Sequence, residues 1–223
     1  MTLKLFIEAI LKFSLGVVLI GLLIFLPAGT LAFTGGWLLM GILFIPMFCA
    51  GLVMMAKNPS LLASRLDAKE KEREQSIVVK LSGLMFILGF VVAGLDFRFG
   101  WVKLPFAVNI IAAVIFILAY IIYAEVLREN TYLSRTIKVV EGQKVVSTGL
   151  YGIVRHPMYF ATILLFMAMP LVLGSVVAFI VFLAYPFIIA ARIKNEEEVL
   201  ARELCGYEEY KQKVKYRMIP FIW

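Results

Sequence analysis

The sequence predicts an all-α integral membrane protein with about six transmembrane helices, the last two forming a tight helical hairpin, and a cytoplasmic C-terminal helical tail. Three observations carry this. The 223 residues are 62% hydrophobic and only 17% charged, with a mean hydropathy of +0.95, whereas a soluble domain is about half apolar. The apolar residues are gathered into long runs. The basic residues fall very unevenly on the stretches between those runs.

The runs are read in order. The first covers about Leu5–Ala28. Its most apolar part, about Phe13 to Ala28, is long for a signal peptide and no small-residue cleavage pattern follows, so a retained helix is expected. The second covers about Phe33–Ala56, the third Ile77–Phe97 and the fourth Leu104–Val126. Each reaches the roughly 20 residues that cross hydrocarbon. The fifth, Pro157–Leu173, and the sixth, Val176–Ile193, lie near the lower limit of about 17. Only Gly174-Ser175 separates them, and Pro170 precedes it, so a turn is favoured over one long helix. Gly51, Gly83 and Gly89 are small enough for close helix approach.

The connections alternate in charge. Phe25–Gly36 and the Gly174-Ser175 turn carry none, and 97–103 carries only Arg98 and Lys103. Lys and Arg collect instead in 57–80, 125–156 and the tail from Arg192. Six spans with both termini in the cytoplasm place all but Arg98 and Lys103 of the 22 basic residues inside. The net charge of +7 is therefore read as topological, with no nucleic-acid partner. Three cytoplasmic pieces follow. Residues 57–76 are amphipathic, with a solvated helix expected at Lys69–Glu74. Residues 127–156 are a polar loop with turn signals at Glu141-Gly142 and Thr148-Gly149. Residues 194–223 begin as a continuation of the sixth helix, with Leu200, Leu204, Tyr207 and Tyr210 near helical spacing and Gly206 as an interruption. Cys49 and Cys205 lie far apart and the chain has a single histidine, so neither a disulfide nor a metal site is expected.

Chemistry concentrates in two clusters. Gly149-Leu150-Tyr151-Gly152-Ile153-Val154-Arg155-His156-Pro157-Met158-Tyr159 holds the histidine beside an arginine at the mouth of the fifth run. Its bland reading is a helix start, with proline in the first turn and arginine snorkelling to the interface. Asn195-Glu196-Glu197 stands at the end of the sixth run. Its bland reading is a solvated charge run. If the helix continues through it, neighbouring carboxylates point about 100° apart, so one can face a ligand while the other holds an arginine. A hairpin between the clusters returns its end beside its start, and an ionisable cluster at a membrane face is a functional-site hypothesis. Arg217, Tyr207, Tyr210 and Tyr216 can close over it from the tail.

The series Gly149, Tyr151, Arg155-His156-Pro157, Tyr159, an apolar hairpin, Glu196-Glu197 with Leu200, Tyr207, Tyr210, and Arg217 with Pro220 resembles the isoprenylcysteine carboxyl methyltransferase family and its wider group of membrane phospholipid and thiol methyltransferases. Glu129-Asn130-Thr131-Tyr132 and Gly142-Gln143-Lys144-Val145-Val146 also look like bacterial members. The resemblance covers about 125–223 closely. It departs at Leu150 and Gly152, often proline and arginine in bacterial relatives. It implies an S-adenosyl-L-methionine-dependent enzyme acting on a lipophilic small-molecule or lipid-modified substrate, with 1–126 as four spans and 127–223 as the methyltransferase core of one structural unit. The implied cofactor-binding residues are Gly149, Leu150, Tyr151, Gly152, Val154, His156, Pro157, Tyr159, Glu196 and Glu197. The implied catalytic residues are Arg155, Glu197 and Arg217, the arginines as holders of an anionic substrate group. An amine or thiol acceptor would need a base, for which Glu197, His156 or Tyr159 stand available.

Two other classes compete. Membrane sterol and steroid reductases share a similar histidine-proline-tyrosine region and bind NADPH. A transporter or scaffold is the non-enzymatic reading. Transporters place their polar sites near the bilayer midplane, while here the spans carry almost no charge and the polar residues gather at one face.

Overall fold

The computed structural model describes residues 3–67, 73–134, 136, 137 and 139–223, with the side chains of 73 and 74 left aside. Among the described residues the secondary structure is helical throughout. α1 (Leu3–Ala28) and α2 (Thr34–Lys57) form a first pair, followed by the short α3 (Pro59–Leu66). α4 (Arg73–Phe99) packs on α1, and α5 (Phe106–Glu129) packs on α2 and α6 rather than on α4. A polar segment with one 3-10 turn at Gly149–Gly152 leads to α6 (Pro157–Val172), α7 (Val176–Phe182), α8 (Ala184–Glu203) and α9 (Tyr207–Lys213).

Five helices are long and apolar enough to cross a membrane: α1, α2, α4 from Gln75, α5, and α7 with α8 taken together over Val176–Glu203. α6, with 16 residues, falls short of the roughly 20 that span hydrocarbon. It nevertheless runs the length of the bundle, as its neighbours show. At one end Asn109 Nδ2, at the start of α5, donates to the Val172 carbonyl at 2.9 Å. There too Ser175 Oγ, just past α6, donates to Asp96 Oδ2 near the end of α4 at 2.5 Å. At the other end Arg65 Nη1 of α3 reaches Met158 Sδ in the first turn of α6 at 3.9 Å, and Ser64 Oγ and Arg65 Nη1 donate to the carbonyls of Leu133 at 3.2 Å and Ser134 at 3.3 Å. The result is six traverses, five long and one short. The Lys69–Glu74 helix expectation falls on 69–72, which lie outside the described residues, and on the first two positions of α4.

The turns form where the sequence signals them. Gly174 takes φ +79°. The Ser175 N–H reaches back to the Pro170 carbonyl at 2.9 Å and the Gly174 N–H to Leu171 at 3.0 Å. These are the paired bonds of a Schellman helix stop. Ser175 then caps α7 by accepting from the Ala178 N–H.

The core is a continuous aromatic and aliphatic cluster threading all six traverses, with Phe33, Phe90, Phe116 and Phe182 fully enclosed. Outward faces of the helices remain apolar: Leu15, Leu22, Ile45, Ile111, Ile180 and Phe187 are exposed. Such a surface fits lipid rather than water. Helices α4 and α7 touch at Gly89, whose missing Cβ would lie 2.2 Å from the Phe182 ring. Gly51 and Gly83 face open space.

Candidate active site

The start of α6 is built by Pro157 at its first position and His156 as N-cap. Before it, Gly149 enters the 3-10 turn with φ +50°. The turn is tied to the end of α5, where Glu129 Oε2 accepts from the Leu150 N–H at 3.0 Å. Asn130 Nδ2 donates to the Tyr151 hydroxyl at 3.2 Å, and Tyr210 Oη donates to the Tyr151 carbonyl at 2.7 Å. The turn is thereby gripped from two sides. The second expected turn, at Gly142, also has positive φ, +73°.

α8 continues without a break from the apolar core to Glu203, so Glu196 and Glu197 sit within the helix rather than at its end. The macrodipole objection to acidic residues at a helix C-terminus does not arise. The neighbouring carboxylates diverge as helical geometry requires. Glu197 is buried, 4% exposed, and three cationic or ionisable groups meet on it. Arg155 Nε donates to Oε1 at 2.7 Å, His156 Nε2 lies 3.2 Å from the same oxygen, and Arg217 Nε donates to Oε2 at 2.9 Å. Arg155 Nη1 also donates to the Val214 and Lys215 carbonyls at 2.7 and 2.9 Å. The backbone N–H groups of Arg155 and His156 donate to the carbonyls of Tyr216 and Arg217. This knot fastens the tail to the hairpin. Buried ions require such saturation of their hydrogen-bonding capacity.

Glu196 points the other way. It accepts a short hydrogen bond from the Tyr159 hydroxyl, and Arg192 Nε, one helical turn earlier, donates to that same hydroxyl at 2.8 Å. These three residues lie in the wall of a cavity shared with Tyr151, Arg155, His156, Tyr207 and Tyr210, and closed on the far side by Asn130, Tyr132, Ser134 and Gln143–Val146. Below Tyr207 and Tyr210, a second small core of Leu204, Val214, Val139, Val145 and Leu200 holds α9 against this loop. Gly206 takes φ +83° and reverses the chain between α8 and α9. It interrupts the helical spacing where the sequence places an interruption. Burial pushes the ionisation of Tyr151, Tyr207 and Tyr210 well above the ordinary phenol range, so all three are neutral hydrogen-bonding groups at physiological pH.

The residues singled out in the sequence thus divide. Tyr151, Arg155, His156, Tyr159 and Glu196 line the cavity. Gly149, Leu150, Gly152, Val154 and Pro157 shape the turn and helix start behind it. Glu197 lies behind the wall, with Arg217 on its outer side. Arg217 borders a separate shallow cleft with Arg155, Lys215, Tyr216, Phe221 and Trp223, its guanidinium 5.4 Å from the Trp223 ring centre. Arg192 was not singled out, although an arginine inside an apolar run, one helical turn before Glu196, is the signal that marks it. Among the described residues no cluster of His, Cys, Asp or Glu could hold a metal ion.

Comparison with known proteins bears on this region. A curated protein, Delta(14)-sterol reductase TM7SF2 of Mus musculus, is 26% identical over 91 residues, 40% of this chain and 22% of that protein. The match thus spans about a fifth of that relative's length. The segment from early α5 to the end of α8, residues 108–202, which supplies most of the cavity wall, matches the model of the isoprenylcysteine carboxyl methyltransferase (ICMT) family.

Proposed function

We propose that this chain is an S-adenosyl-L-methionine-dependent methyltransferase embedded in the membrane. It transfers a methyl group to a lipophilic acceptor: an isoprenylcysteine-like carboxylate, a lipid or a thiol. The observation that carries the reading is the joining of His156, Tyr159 and Glu196 in one cavity wall inside the segment that matches the methyltransferase family. The wall suits the cofactor in kind. Glu196 offers carboxylate oxygens for hydroxyl or ammonium donors, and Tyr151, His156 and Tyr207 offer aromatic faces and polar edges. The bound cofactor supplies an electrophilic methyl on a sulfonium, and the protein supplies position and electrostatics.

The chain's own residues divide that work. Glu196 and Tyr159 hold the cofactor, and Arg192 orients Tyr159 through its hydroxyl. Arg155, Glu197 and Arg217 fix the tail over the site and keep cationic character next to it, where an anionic acceptor group is received. Orienting two reactants in this way is worth about 7–11 kcal/mol of barrier. A carboxylate acceptor needs no base. The acceptor enters from the lipid between helices and the cofactor from the cytoplasm, with both termini and the site on the cytoplasmic side. Residues 1–126 and 127–223 act as one unit, since α3 bonds directly to the cavity loop.

Calorimetry with S-adenosylhomocysteine on detergent-purified protein tests the proposal. Binding is expected, and at least tenfold loss in Glu196→Ala. The 26% identity to a sterol reductase favours one rival, an NADPH-dependent reductase. NADPH binding without S-adenosylhomocysteine binding would move the chain to that class.

A further inference from the structure

Two buried side-chain atoms among the described residues lack a hydrogen-bond partner, Gln75 Oε1 and the Tyr207 hydroxyl. Gln75 lies within the helix bundle, where its amide nitrogen is engaged by Asn195 Oδ1 at 2.7 Å, and it does not border the cavity. Tyr207 does border it. The residue is 4% exposed, and its ring is set 5.8 Å from that of Tyr210. The two phenols are treated differently by the fold. Tyr210 spends its hydroxyl on the Tyr151 carbonyl. Tyr207 has the same chemistry and comparable burial, and its hydroxyl is given nothing. Leaving a buried donor unsatisfied forfeits its hydration with no hydrogen bond in return, and such a cost in a native fold calls for a reason.

We infer that the Tyr207 hydroxyl is reserved for the ligand and donates a hydrogen bond to an acceptor atom of the nucleoside cofactor in the cavity. The inference rests on the methyltransferase reading of that cavity. Burial, then the carboxylates of Glu197 and Glu196 nearby, keep the phenol protonated, so it enters as a donor. Its anchoring in α9 means that the tail segment beyond residue 203 contributes directly to binding. The site is then completed by a part of the chain that lies outside the family-matched segment 108–202.

The test pairs Tyr207→Phe with Tyr210→Phe, each measured for thermal stability without ligand and for S-adenosylhomocysteine affinity. Tyr207→Phe is expected to melt at or above the wild-type temperature, because it removes an unpaired buried group. It should bind about five- to tenfold more weakly, the worth of one hydrogen bond. Tyr210→Phe, which loses a made bond, should melt lower. Unchanged affinity in Tyr207→Phe overturns the inference. So does weaker binding accompanied by a melting loss like that of Tyr210→Phe, since the hydroxyl would then serve the wall and not the ligand. Failure of the wild type to bind overturns both this inference and the reading beneath it, whereas wild-type binding that the variant retains overturns this inference alone.

Discussion

Glu197 and Glu196 differ by one position and by everything that surrounds them. Glu197 is enclosed and bonded to Arg155, His156 and Arg217. Removing it leaves the Arg155 guanidinium, itself buried, without its counter-ion. Breaking a buried pair from one side costs about 3–5 kcal/mol. Glu197→Ala is therefore expected to lose most of its fold stability, seen as a large drop in melting temperature in detergent. A melting temperature within a degree or two of wild type would show that the knot does not hold the tail. Gly149 is the second residue at which backbone and side chain combine. A Cβ there would lie 1.4 Å from Glu129 Oε1, and the φ of +50° is unfavourable for any other L-residue. Gly149→Ala must displace the carboxylate that accepts from the Leu150 N–H. We expect a loss of about 1–3 kcal/mol from strain and the broken bond, with cofactor binding weakened because the Tyr151 turn shifts. The variant's melting curve and S-adenosylhomocysteine titration check both parts.

At the scale of elements, close contact between helices turns on which glycines face a neighbour. Gly89 meets Phe182 of α7. That ring cannot swing aside, since Phe86 and Phe90 crowd it with ring centres 5.5 and 5.9 Å away. Gly89→Ala is expected to cost about 1–3 kcal/mol by overpacking. Gly83→Ala, on the same helix with nothing near its Cβ, should be neutral or gain up to about 1 kcal/mol from helix propensity. Equal melting temperatures for the two variants would contradict the α4–α7 packing. The sequence could not separate these glycines, and the reason is physical. Lipid and protein core are both apolar, so a membrane helix lacks the polar stripe that reveals the packed face of a soluble one. What was legible was punctuation: Pro157 starting α6, Gly174-Ser175 ending it, Gly142 and Gly149 turning the loop, and Leu200 carrying α8 past the carboxylates. The site was half legible for the same reason. His156, Tyr159 and Glu196 stand beside turn and charge signals that local sequence displays. α3, the Ser175–Asp96 bond and the turning of Arg192 toward Tyr159 depend on partners far away in the chain, and no local pattern announces them.

At the scale of the molecule, the six traverses gather the chemistry at one end and leave a different polar fitting at the other. There Asp96 is buried, receiving the Ser175 hydroxyl and, at 3.0 Å, the Val102 N–H. It staples two turns, and Arg98 and Lys103 are the only basic residues in its loop. Among the described residues the other end carries Arg65, Arg128, Arg155, Arg192 and Arg217, and charge of that kind is retained on the cytoplasmic side during insertion. On the proposed orientation, a water-soluble cofactor reaches the cavity from the cytoplasm and the acceptor arrives through lipid. It predicts a labelling pattern. With Cys49→Ser to remove the exposed cysteine of α2, a membrane-impermeant maleimide applied outside intact cells should label a cysteine placed by Trp101→Cys, an exposed position at the stapled end. It should leave Cys205, exposed between α8 and α9 at the site end, unlabelled until the membrane is opened. Labelling of Cys205 from outside, with Trp101→Cys protected, would turn the molecule over. The cavity would then open away from the cytoplasm, where no such cofactor is supplied, and the methyltransferase proposal would fall with the topology.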